Sequence, residues 1–87
     1  MPVVWIPSLI RELTGGAEQV TVEGQTLRQV IECLDAVYPG FRARVLSEEG
    51  MRPGLAVAVD GVVAEDGLRT PVEARSEIHF VTAISGG

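Results

Sequence analysis

Glu77-Ile78-His79-Phe80-Val81-Thr82-Ala83-Ile84-Ser85-Gly86-Gly87 ends the sequence and decides how the rest is read. Its first part alternates apolar and polar residues with the period of a strand, which predicts a last strand over 77–83. Ile78 and Phe80 fall on one face, His79 and Val81 on the other. Ile84-Ser85-Gly86-Gly87 then leaves the body as an extended, flexible tail. Glycine has no Cβ, so it loses much backbone freedom on ordering and packs almost nothing. Its one advantage is access. A bare Gly-Gly end can enter a channel too narrow for any side chain and present the α-carboxylate of Gly87. Gly87 is read as the reactive residue, with Gly86, Ser85 and Ile84 giving access. The plain alternative is a frayed terminus or an expression scar.

Working back from that strand, the apolar stretches define a short list of elements. Val3-Val4-Trp5-Ile6, bounded by Pro2 and Pro7, reads as a first strand. Ser8 is the expected N-cap of a short helical turn over Leu9–Leu13, which Gly15-Gly16 ends. Gln19–Glu23 alternates with period two and predicts a second, half-buried strand. Thr26 with Gln29 forms a capping-box pattern. Leu27, Val30, Ile31, Leu34 and Tyr38 continue it as one apolar stripe, and Pro39-Gly40 stops the helix. A shorter helix is expected over Phe41–Glu49, with Phe41 and Val45 inward. Leu55–Val59 predicts another strand, Asp60-Gly61 a hairpin turn and Val62-Val63 a short return strand. Leu68–Pro71 reads as an irregular connection.

This order is that of an α+β chain in which four or five strands form a mixed sheet packed on one main helix. It is the order of a β-grasp (ubiquitin-like) fold, spanning residues 1–87 as one domain. The first and last strands are then expected side by side and parallel in the middle of the sheet. One helix covers only one sheet face, so the other is partly open. On that open face His79, Val81 and Ala83 are expected beside Ala56, Ala58 and Trp5. Small exposed apolar residues on a sheet can form a partner surface. Trp5 has an equal claim to the core, because tryptophan is usually largely buried.

Composition narrows the function classes. With 46% apolar and 22% charged residues the 87-residue chain is an ordinary globule. It is too short for much of an internal cleft. No apolar run approaches the roughly 18 residues of a membrane span, and no leader pattern is present, so a cytoplasmic location is expected. The net charge of −5 argues against nucleic acid and suits a partner with a basic docking surface. All seven cations are arginine, so the chain carries no ε-amine to accept an isopeptide bond. Arg11, Arg52 and Arg69 could meet acidic partners, although most such charges form only a solvated face. Cys33 is the sole cysteine and His79 the sole histidine, so no disulfide, CxxC or zinc set can be built within one chain. A lone cysteine in a helical pattern reads as a small buried apolar residue.

Ile6-Pro7-Ser8-Leu9-Ile10-Arg11-Glu12-Leu13-Thr14-Gly15-Gly16, Tyr38-Pro39-Gly40-Phe41, Arg52-Pro53-Gly54, Val59-Asp60-Gly61, Gly67-Leu68-Arg69-Thr70-Pro71 and the terminal Ala83–Gly87 carry a resemblance that runs end to end. The chain resembles the ubiquitin-like sulfur carrier proteins of the MoaD/ThiS family, in particular the CysO-like carriers of cysteine biosynthesis. It departs from them at Thr82, where a proline is common, and at Ser85, where Ala or Gly is common. The resemblance implies a cosubstrate rather than an enzyme. An E1-like, ATP-dependent adenylyltransferase/sulfurtransferase would activate the Gly87 carboxylate, and a sulfur donor would convert it to a thiocarboxylate. The sulfur acceptor would be a cysteine synthase-like enzyme using pyridoxal phosphate (PLP), followed by a zinc peptidase. The alternatives are the large subunit of molybdopterin synthase, with this chain as its small subunit, and conjugation of Gly87 to lysines as a protein modifier. ATP, PLP and zinc would belong to those partners, and this chain would bind no cofactor or metal itself.

Overall fold

The alternating strand at 77–82 and the apolar helix stripe from Leu27 meet across a single layer interface. The computed structural model describes residues 1–48 and 50–82. Its main sheet contains β1 (Val3–Trp5), β2 (Gln19–Thr21), β5 (Leu55–Val59), β6 (Val62–Val63) and β7 (Glu77–Thr82). They lie in the order β2-β1-β7-β5-β6. β1 and β7 run parallel with Val4 opposite Ile78, and the other pairings are antiparallel. The expected central pair of first and last strands is therefore present.

The helix α1 (Leu27–Val37) packs on one face of this sheet. Val4, Val30, Ile31, Leu34 and Ile78 are completely buried between the layers. Phe41 meets Phe80 edge-on at 5.8 Å, a favoured arrangement for aromatic rings. The α1 cap forms as its sequence predicts. The Gln29 amide N–H donates to Thr26 Oγ1 at 3.3 Å. The reciprocal arm lies one residue upstream, where the Gln25 N–H donates to Gln29 Oε1 at 2.8 Å.

Three local expectations are corrected. Pro7, not Ser8, occupies the N-cap of the first turn, a 3₁₀ turn over Ser8–Ile10 with no side-chain cap. The Arg11 guanidinium instead ties that turn to the Ile6 carbonyl at 3.1 Å. The second helix, α2, covers only Phe41–Val45. The chain then turns into β3 (Leu46–Ser47), which pairs with β4 (Gly50–Met51) in a separate two-stranded ribbon. Arg52 explains the stop, because its Nε donates to the Ala43 carbonyl and its backbone N–H to that of Val45. Those helix-end carbonyls are thereby satisfied without another turn. Third, the connection after Asp66 contains a 3₁₀ turn over Gly67–Arg69.

The start of β7 is pinned by the predicted hairpin turn. Asp60 and Gly61 both have positive φ, 52° and 83°, as a twisted two-residue hairpin requires. The Asp60 carboxylate accepts from the Glu77 N–H and the Ser76 hydroxyl, both at 2.9 Å. The Ser76 carbonyl accepts from the Val3 N–H at 3.0 Å. One turn residue thus aligns β5, β7 and β1 together.

Gly24 sits where the chain leaves the sheet for α1. A Cβ there would lie 2.7 Å from Val30 Cγ2 and 2.9 Å from the Val30 backbone nitrogen. Val30 is fully buried and cannot yield without moving the helix. Gly24→Ala is expected to cost about 2–4 kcal/mol of stability, read from the midpoint of urea unfolding. A loss below about 0.5 kcal/mol, the size of an ordinary surface change, would show that α1 is free to shift.

Candidate functional site

The open sheet face is the surface opposite α1. Strand alternation turns Val4 and Ile78 inward and leaves Trp5, His79 and Val81 outward. Register then sets these residues in rows. Trp5 pairs with His79, His79 with Ala58 and Ala58 with Val63, so four adjacent strands supply one row across the sheet. Val81 pairs with Ala56 in the next row toward the C-terminal end of β7.

The Trp5 and His79 rings stack with centroids 5.4 Å apart and planes 10° from parallel. Trp5 Nε1 donates to Glu77 Oε1 at 3.3 Å. Trp5 is half-buried and on the open face, which decides its position against the core. Val81 is 44% exposed and Val63 57%, while Ala56 and Ala58 leave a shallow floor between them. Cross-strand neighbours at this spacing act as one contact surface.

Four of the expected docking residues, Trp5, His79, Ala58 and Val81, are therefore brought together. The fifth, Ala83, and the tail residues Ile84, Ser85, Gly86 and Gly87 lie outside the described residues. Val63 was missed by the sequence reading. The Asp60-Gly61 turn held the signal, because a two-residue hairpin sets Val63 opposite Ala58. Val81 and Ala56 form the last outward row before Thr82, which pairs with Leu55. The apolar face thus runs up to the last described rows of β7.

The other candidates have local roles. Arg11 and Arg52 hold backbone carbonyls, and Arg11 also lies 3.7 Å from Glu18. Cys33 is half-buried beside the α1 stripe, in a shallow recess with Glu23, Gly24, Gln29 and Glu32. Among the described residues, no group of His, Cys, Asp and Glu is placed to hold a metal ion. No helix among them is long and apolar enough to cross a membrane.

A mixed sheet with parallel terminal strands in its centre, closed on one side by one main helix, defines a ubiquitin-like β-grasp domain. Solved structures agree on the fold. A chain of the Amycolatopsis orientalis BexX/CysO complex superposes with a TM-score of 0.91 at 27% identity, covering all of both chains. Small archaeal modifier protein 1 of Methanosarcina acetivorans shares the fold at 20% identity and TM-score 0.79, over 99% of this chain and 95% of that one. The sulfur carrier protein CysO of Mycobacterium tuberculosis is 31% identical over 97% of this chain and 96% of its own. Its crystal structure superposes with a TM-score of 0.90 over 97% of this chain and all of that one. The ThiS family model matches residues 4–87. The chain belongs to the ThiS family, whose members are cosubstrates and not catalysts, and is similar to the sulfur carrier protein CysO.

The two faces of β7 should respond in opposite ways to a charge. Val81→Asp is expected to shift stability by no more than about 1 kcal/mol, a strand-propensity effect at an exposed site. Ile78→Asp, which buries a carboxylate among apolar side chains, is expected to abolish cooperative unfolding. Circular dichroism during urea titration reads both. Equal losses from the two substitutions would contradict the assignment of faces.

Proposed function

We propose that the chain is a sulfur carrier whose cargo is a thiocarboxylate on Gly87, delivered for cysteine biosynthesis. The observation that carries the reading is β7. This strand is held by β1 over Glu77–His79 and by β5 over Ile78–Thr82, and Gly87 follows Thr82 by five residues in the sequence. A paired sheet strand thus leads in sequence into Ala83, Ile84, Ser85, Gly86 and Gly87. The 31% identity to CysO over nearly the whole chain supports the choice of pathway.

The chemistry begins from a carboxylate, which is a poor electrophile. In an E1-like partner, a Gly87 carboxylate oxygen attacks the α-phosphorus of ATP and pyrophosphate leaves. Hydrosulfide, or a persulfide whose S–S bond a second thiol then cleaves, attacks the acyl carbon. A C–S bond forms, the acyl C–O bond breaks and AMP departs. The thiocarboxylate is ionised and nucleophilic near neutral pH, as thiolates are. A cysteine synthase-like partner supplies the PLP-held electrophile, and a zinc peptidase releases the product from Gly87. This chain's own groups do no bond-making beyond Gly87.

The chain's part is presentation. Gly86 and Gly87 have no side chains to obstruct a channel, and Ser85 and Ile84 precede them in the sequence. The row Trp5, His79, Ala58 and Val63, with Val81 in the next row, is the surface on which the partners close. None of these described residues is a carboxylate, and Glu77 lies at their margin. That contrasts with the net charge of −5 and favours desolvated apolar contact at the centre of the interface.

Intact mass tests the reading. Incubation with the cognate activating enzyme, ATP and sulfide should add about 16 mass units, oxygen replaced by sulfur at an activated carboxyl. A chain lacking Gly87 should fold normally and gain nothing. Val81→Asp should fold normally and load at least about tenfold more slowly, the scale of losing one central interface contact. Sulfur gain by the truncated chain would place the cargo elsewhere. Adducts on other proteins would indicate a modifier instead, and turnover only with a molybdopterin synthase large subunit would redirect the pathway.

A further inference from the structure

The two edges of the main sheet differ in what they show to solvent. β2 closes one side with polar Gln19 and Thr21 exposed. β6 closes the other with two adjacent valines, Val62 at 69% exposed and Val63 at 57%. An edge strand with apolar side chains and neither charge nor proline is a template for pairing with another chain.

Hydrogen-bond alternation identifies the free groups of that edge. The Ala64 N–H donates to the Val57 carbonyl at 2.8 Å, and Val62 faces Val59 next to the hairpin turn. Val62 and Ala64 therefore turn their backbone groups toward β5. The N–H and C=O of Val63, between them, point away from the sheet. Neither has a backbone partner outside the sheet among the described residues.

Beside this edge Val59, Val62, Ala64, Thr70 and Pro71 line an open groove of about 410 Å³. The Thr70 hydroxyl in its wall is buried and has no hydrogen-bond partner among the described residues, a polar group still to be satisfied. Glu65 and Asp66 form the acidic rim of the same groove. Both are exposed, and neither makes an ion pair among the described residues, with Arg69 or any other cation. Asp66 precedes the 3₁₀ turn over Gly67–Arg69, but its side chain does not cap it. Both carboxylates are thus left for a ligand outside the chain.

We propose that β6 receives an extended segment of another protein, one carrying arginine or lysine, as an added strand of the sheet. The segment's N–H and C=O pair with the C=O and N–H of Val63, as in strand addition at a free edge. One of its apolar side chains enters the groove over Val62 and Pro71, and a neighbouring cation meets Glu65 and Asp66. Charge selects this occupant over a second copy of the chain, because each copy carries a net charge of −5 and like-charged molecules repel. β6 spans only two residues, so the added strand is short and the complex exchanges rapidly. The inference does not rest on the carrier reading.

The test uses the full chain, isotope-labelled for NMR, and two short capped peptides. One alternates arginine with valine, the other glutamate with valine. At neutral pH and low salt the arginine peptide should shift the amide signals of Val62, Val63, Ala64 and Glu65 and leave those of β2 in place. It should bind at least about fivefold more tightly than the glutamate peptide, the scale of two exposed charge contacts. Glu65→Gln combined with Asp66→Asn should erase that preference. Val63→Pro removes the outward N–H at a position where an edge strand tolerates proline. It should keep the fold and lose the shifts. Equal affinity for the two peptides, shifts centred away from β6, or no shifts at all would overturn the proposal. So would a preference that survives in the Glu65→Gln, Asp66→Asn chain, or sedimentation showing a dimer that Val63→Pro abolishes.

Discussion

The parallel pairing of β1 with β7 is the constraint on which the rest of the molecule depends. It joins segments more than 70 residues apart, and Trp5 reaches Glu77 across a sequence separation of 72. Such a contact closes nearly the whole chain as a loop, which is entropically costly and kinetically late. The compensation lies in what the pair buries. Val4 and Ile78 sit side by side at the sheet centre with no exposed surface, against Val30, Ile31 and Leu34 of α1. At about 25 cal/mol per Å² of apolar area, such a cluster is a large fraction of the core available to 87 residues. Asp60 and Ser76 then hold the register of both strands through hydrogen bonds close to 3 Å.

The same constraint produces the candidate site. Over Ile78 and His79 β7 has neighbours on both edges, so that stretch cannot fray sideways or offer an edge for strand addition. What it offers is its outward row of side chains and its end. The single helix leaves one face of the sheet uncovered, and there the sequence places small or flat groups: two alanines, two valines, and a tryptophan stacked on a histidine. The Trp5–His79 stack and the Trp5–Glu77 hydrogen bond restrict three side chains before any partner arrives. Less side-chain freedom then remains to be lost on binding.

Much of this was legible in the sequence, because it follows from periodicity. The alternation of Ile78, His79, Phe80 and Val81 predicted the two faces of β7. The stripe from Leu27 to Leu34 predicted the buried side of α1. Asp60-Gly61 predicted the hairpin, and the element order predicted parallel terminal strands. Failures came where a distant group overrode a local signal. Phe41–Glu49 has helical composition, but Arg52 takes the carbonyls of Ala43 and Val45 and ends the helix early. Ser8 has the chemistry of a cap, but Pro7 already holds the cap position with an extended backbone. Trp5 could not be placed, because the same bulk suits a core or an interface. Only the register with His79 decided it.

Separation of functions explains the unusual division of the chain. Stability resides in the β1–β7 pair and α1, the proposed recognition in the open sheet face, and the proposed chemistry in the Gly87 carboxylate. Each can change with little effect on the others. A charge on Val81 touches recognition, an Ala at Gly24 touches packing, and loss of Gly87 touches chemistry. The absence of lysine fits the same division. Arginine supplies the backbone ties at Ile6 and Ala43 and the 2.7 Å pair of Arg44 with Glu12, and its guanidinium stays protonated and non-nucleophilic at any working pH. A lysine in those places could keep a charge pair but would bring a reactive amine onto the body of the proposed carrier. Cationic contacts made only by arginine let the scaffold be held together electrostatically while remaining chemically silent toward its own end.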